Sequence, residues 1–131
     1  MESFSVPTEA ATRMIDITAQ VSDIIRNTGV SSGICTICVP HTTCGITINE
    51  NADPSVQKDV LKELNTIVPF SDGYLHAEGN SAAHIKTIMT GTSVNVPIED
   101  GRPVLGTWQG IYLCEFDGPR TRKVLVQMVS C

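Results

Sequence analysis

No apolar run in this 131-residue chain approaches the roughly 20 residues that a membrane-spanning helix needs. The opening stretch, MESFSVPTEAATR, lacks the basic start and apolar segment of a signal peptide, so the expected location is the cytoplasm. Nor is there a block of Lys and Arg: 9 basic residues face 14 acidic ones, for a formal charge of −5. That balance argues against a general nucleic-acid or anionic-membrane surface. Internal repeats, low-complexity tracts and linkers are also missing. What is present suits one folded domain over residues 1–131: 41% hydrophobic and 18% charged residues, in a length that allows a real core.

Five cysteines, an odd number without an export signal, read as reduced thiols. CTIC at 35–38 has the spacing of a redox or zinc motif, but it lies in GICTICVP, a β-branched apolar run typical of a buried strand. Strand side chains alternate, so Cys35 and Cys38 should point to opposite faces as buried core residues.

Periodicity predicts an α+β chain. Residues 2–7 read as a short strand. DITAQVSDIIRNTG places Ile17, Val21, Ile24, Ile25 and Thr28 on one helical stripe, with Asp16 or Thr18 as cap and Gly29 as stop. Strands are expected near 33–40 and 44–49. DPSVQKDVLKELNTIVP is the strongest helix signal, with Asp53 at the N-cap, Pro54 in the first turn and Pro69 beyond the end. NSAAHIKTIMTG gives a shorter helix, capped by Asn80 or Ser81 and ended at Gly91. The remainder is β: a hairpin turning at Asp100-Gly101, then GIYLCEF and KVLVQMV. Antiparallel strands with three helices between the early ones suggest a twisted sheet or two-sheet sandwich carrying helices.

Chemistry-bearing residues gather in a few places. HTTCGITINENADP sets His41, Glu50, Asn51 and Asp53 at or beside strand ends, where sites are usually built. Asp53 is better explained as a helix cap. HAEGNSAAH separates His76 and His84 by eight residues, about 80° apart on a continuous helix. The Gly79-Asn80 break lets His76 fold back toward the helix start, although the spacing matches no standard zinc motif. That helix start, with Gly79, Asn80 and Ser81, offers free amides and a positive dipole end to a phosphate. Trp108 and Gln109, between Gly106 and Gly110, face either a pocket or interface, or the core beside a bulge. Arg120, Arg122 and Lys123 form the one local concentration of positive charge; a solvated turn is the plainer reading and a small anion pocket the sharper one.

HTTCGITINENADP, HAEGNSAAHIK and GTSVNVPIEDGRPVLGTWQGIYLCEFDGPRTRKVLV together resemble the YjbQ-like family, also labelled secondary thiamine-phosphate synthase, from about residue 14 onward. The resemblance implies a compact α+β sandwich, a homotrimer, and a metal- or anion-binding cleft. It implies that His41, His76 and His84 are the site histidines, that Glu50 and Asn51 line the same cleft, and that Trp108 and Gln109 belong to its signature strand. Cys44 stands where members often carry a small residue, so no universal catalytic thiol follows.

The leading expectation is a small metal-binding enzyme acting on a phosphorylated metabolite. The reaction that the family label names joins a pyrimidine pyrophosphate to a thiazole phosphate and releases pyrophosphate. Three imidazoles converging on one divalent cation suit Zn²⁺ better than Mg²⁺, which prefers oxygen ligands. Two rivals stand beside it: a three-histidine metal hydrolase with Glu50 as general base, and a non-enzymatic trimer that binds a metabolite or metal.

Overall fold

The computed structural model describes residues 1–131. Strands β1 (Glu2–Pro7) and β2 (Arg13–Asp16) precede helix α1 (Thr18–Thr28), and β3 (Ser32–Cys38) and β4 (Cys44–Glu50) follow it. Helices α2 (Pro54–Ile67) and α3 (Ser81–Thr90) come next, then β5 (Ser93–Glu99), β6 (Arg102–Pro103), β7 (Gln109–Glu115) and β8 (Thr121–Ser130). The strands form a five-stranded sheet, β1-β8-β3-β5-β6, and a three-stranded sheet, β2-β7-β4, with every pairing antiparallel. The fold is therefore α+β with two sheets.

Alternation along the strands makes the sandwich. Cys35 and Ile37, Val96 and Ile98, and Val124 and Val126 of the large sheet meet Ile46, Ile111 and Leu113 of the small one, and Ile17, Val21 and Ile25 close the side. At about 25 cal/mol per Å², burying such side chains is the main stabilising term. The other face of β7 carries Tyr112, Cys114 and nearby Phe116, on which Ala83 of α3 and Leu61 and Leu64 of α2 pack. β7 is thus apolar on both faces because both faces are covered.

Local signals explain most boundaries. Asp53 caps α2 by accepting the Ser55 N–H at 2.9 Å, with Pro54 in the first turn. Gly29 ends α1 in the left-handed conformation. Asp100 and Gly101 both have positive φ, as the hairpin turn requires. Ile17 occupies the N-cap of α1, while the Asp16 carboxylate still receives the Thr18 N–H and hydroxyl. β2 was not expected: its four residues are too few to show a period.

Two expectations are corrected. Cys35 and Cys38 do lie on opposite faces, but only Cys35 is in the core; Cys38 is half-buried on the uncovered side of the large sheet. Arg122 does not belong to a solvated turn. It sits between the sheets at 4% exposure, because β8 directs its side chain inward beside Val124 and Val126.

Candidate functional site

The chain crosses from the large sheet to the small one between β3 and β4, and His41 lies on that crossing. Its Nε2 accepts the backbone N–H of Lys123 at 2.9 Å. Two residues on, Thr43 is buried and clamped by Arg122, whose guanidinium donates to the Thr43 carbonyl at 3.1 Å and to its Oγ1 at 2.9 Å. The same guanidinium grips Glu115 through both carboxylate oxygens. Glu115 also accepts from Thr8 Oγ1 at 2.7 Å and from the Asp117 N–H at 3.0 Å. Burial alone would raise the Glu115 pKa, but the bonds from Arg122, Asp117 and Thr8 hold it below the usual glutamate range. His41 is shifted down, by burial first and then by the Arg122 charge, and so is neutral at pH 7.

His84 stands on α3, and His76 on the loop before it. Their rings meet edge to face, with centroids 5.4 Å apart. Two cavities share His84. One, of about 490 Å³, is lined by Tyr74, His76, Ser81 and His84 among others; the second, of about 400 Å³, includes His41, Thr42, His84 and Thr87. The three histidines therefore lie along one face in the order His76, His84, His41.

They do not form the three-ligand metal centre expected from the sequence. No three His, Cys, Asp or Glu side chains of the chain converge to hold an ion, and His41 already spends Nε2 on Lys123. One chain's residues thus do not fit a three-imidazole metal.

The phosphate seat divides as well. Ser81 faces the His76–His84 cavity, whereas Gly79 and Asn80 line a smaller one beside Phe116. Asn80 Nδ2 donates to Asp117 at 2.8 Å, leaving Oδ1 buried without a partner. No side chain caps α3; the Ala83 N–H bonds the Asn80 carbonyl at 3.1 Å, which leaves the amides of Ser81 and Ala82 without a partner in the chain.

Glu50, Asn51 and Gln109 lie elsewhere. Cys44 pairs with Glu115 and Glu50 with Gln109, so β4 carries Glu50 about 20 Å along the sheet from the His41 end. There the Asn51 N–H donates to the Trp108 carbonyl, Asn51 Nδ2 to Asp16 at 3.2 Å, and the Gly106 N–H to Gln109 Oε1 at 2.7 Å. A Cβ on Gly110 would stand 2.7 Å from Asn51 Nδ2, which is the close approach that glycine in this strand signals. Trp108 is exposed, not core. One chain does not place this group in the histidine cleft.

Sequence reasoning missed Glu115 and Lys86. Lys86 is fully buried, donates to Asn65 Oδ1 at 2.6 Å and lies over the Phe70 ring. The signal for Glu115 was a lone carboxylate within the apolar run GIYLCEF.

Residues 2–131 match the family model described as UPF0047 protein YjbQ-like. UPF0047 protein YugU of Bacillus subtilis is 48% identical over 131 residues, covering 99% of both chains. UPF0047 protein MJ1081 of Methanocaldococcus jannaschii is 47% identical over 127 residues, which are 97% of this chain and 92% of that one. A crystal structure of a YjbQ/UPF0047 family protein from Clostridium acetobutylicum superposes with a TM-score of 0.97 at 49% identity, covering 98% of this chain and 100% of that one.

Proposed function

The chain belongs to the YjbQ-like UPF0047 family, and from that premise we propose that its histidine face binds a phosphorylated small molecule and acts on it. The observation that carries this reading is the sharing of His84 between two adjoining cavities, one reaching His76 and Ser81 and the other His41. Imidazole N–H groups and the start of a ten-residue helix are donors suited to phosphate oxygens.

The reaction proposed is the transfer implied by the resemblance to secondary thiamine-phosphate synthase: a ring nitrogen of the thiazole phosphate displaces pyrophosphate from the pyrimidine. The chain's own contribution is positional and electrostatic, holding one phosphate and easing the departure of the other. The protein works as a homotrimer in the cytoplasm; five unpaired thiols suit that reducing compartment. Glu50, Asn51 and Gln109 join the cleft from a neighbouring subunit, since a 20 Å strand (about that length) separates them from the histidines within one chain. The same separation counts against a hydrolase in which Glu50 of the same subunit activates water.

The test is pyrophosphate release from the two phosphorylated substrates by untagged protein, with metal content measured on the same sample. His84→Ala should lower turnover at least about tenfold. Absence of both turnover and phosphate binding with every divalent ion supplied would overturn the reading.

A further inference from the structure

The hydrogen bond at His41 fixes more than the ring's position. An imidazole nitrogen that accepts an N–H must be unprotonated, and Lys123 donates its backbone N–H to Nε2. In the neutral ring the single proton then sits on Nδ1. The donor is backbone in β8: Lys123 pairs with Ser5 of β1 on one side, and pairing with β3 on the other begins only at Leu125, so the amide is open to His41 yet held in place by the sheet. The acceptor is held equally firmly. Arg122 ties the carbonyl and hydroxyl of Thr43 to Glu115, and all three residues are buried between the sheets.

We infer that His41 serves its ligand as a fixed neutral hydrogen-bond donor through Nδ1–H, a tautomer set by Lys123 and positioned by the Arg122–Glu115–Thr43 clamp. The inference rests on the anion-binding reading of the histidine face and deepens it. A ring with Nε2 bonded and Nδ1 protonated has no lone pair left for a metal. It recognises an acceptor, and beside His84 and Thr42 the fitting class is a phosphate oxygen. Arg122 and Glu115 are positioning residues: they touch the loop and not the ligand.

Two measurements test it on the full chain. Nitrogen NMR of the labelled histidine rings reads the tautomer directly, assigned by the signal lost in His41→Asn. The expected pattern is Nδ1 protonated and Nε2 bare; a protonated Nε2, or a freely exchanging mixture, overturns the inference. Inorganic phosphate is then titrated against variants. His41→Asn, whose amide nitrogen overlies Nδ1, should stay within about threefold of wild type, while His41→Ala and His41→Gln lose about tenfold or more. Retention by Gln with loss by Asn would assign the donor to the other nitrogen and overturn the proposal.

The paired change Arg122→Met with Glu115→Leu removes both charges together, so neither is left stranded, and a thermal melt checks that the fold is kept. It should release His41 into a tautomer mixture; an unchanged ring would overturn the positioning role. A wrong tautomer with phosphate still shifting His84 defeats this inference alone. The stated tautomer with no histidine responding to phosphate defeats the anion site, and the donor role with it.

Discussion

At the scale of single residues, the Arg122–Glu115 pair concentrates the electrostatics of the fold. Two charges between sheets have lost their hydration, and bidentate contact with two further donors on the carboxylate offsets that cost. Removing one partner leaves the other stranded, so Glu115→Gln should cost about 3–5 kcal/mol in denaturant unfolding at pH 7. The sign with pH follows from the depressed Glu115 pKa. Its contribution is complete above the ordinary glutamate value of 4.5 and is lost as pH falls through the lower folded value. Acid unfolding should therefore be steeper in wild type than in Glu115→Gln; equal slopes would contradict the pairing. The thiols give a second residue-scale expectation. Burial pushes Cys35 and Cys44 up to about 11 and Cys114 up to about 12, while Cys131 is exposed. Native protein should label at once at Cys131, more slowly at half-buried Cys38, and at the other three only on unfolding. Rapid labelling of Cys44 would show that the crossing between β3 and β4 opens.

At the scale of elements, α2 and α3 depend on devices of different kinds. Asp53→Ala removes the only side-chain cap on α2 and should destabilise by about 1 kcal/mol in a thermal or denaturant melt. Gly45 matters through contact: a Cβ there would stand 2.1 Å from Thr90 Oγ1 and 2.5 Å from the Gly91 carbonyl. Gly45→Ala must push the end of α3 off β4, at a cost of about 1–3 kcal/mol, and should disturb the His84 NMR signals as well. Unchanged His84 signals in that variant would mean that α3 is seated by its other contacts. These two cases also mark what the sequence makes legible. Asp53-Pro54, Gly29 and Asp100-Gly101 act through their own neighbours, so their roles can be read locally. Arg122 beside Glu115, Gly45 beneath Thr90 and His41 beneath Lys123 are made by pairings between distant strands, and no period or spacing encodes those. The three histidines were legible as residue types and by family resemblance. Their arrangement as a row along one face depends on where α3 lands on the small sheet.

At the scale of the whole molecule, the site residues occupy two ends of one sheet. His41 lies at the Glu115 end, and Glu50, Asn51 and Gln109 at the other, with β4 and β7 between them. Leu75 and Ile88, beside the histidines, are almost fully exposed, as are sizeable parts of Phe70 and Trp108. Apolar side chains so placed are costly in an isolated chain and natural at a subunit contact. A cyclic trimer is built from heterologous contacts, so one end of each subunit meets a different surface of the next. That geometry can bring Glu50 of one copy to the histidines of another. Light scattering should show a trimer at micromolar concentration, and Ile88→Asp should weaken it without unfolding the chain. Subunit mixing tests the shared site more sharply. Glu50→Gln and His84→Ala proteins, each first shown to be impaired alone, are unfolded together, refolded and assayed for pyrophosphate release. If a cleft takes His84 from one subunit and Glu50 from its neighbour, random assembly restores about a quarter of the clefts. If each cleft belongs to a single chain, every cleft keeps one lesion and no activity returns. Recovery near a quarter supports the two-subunit cleft, and none at all, from trimers shown to have mixed, rules it out.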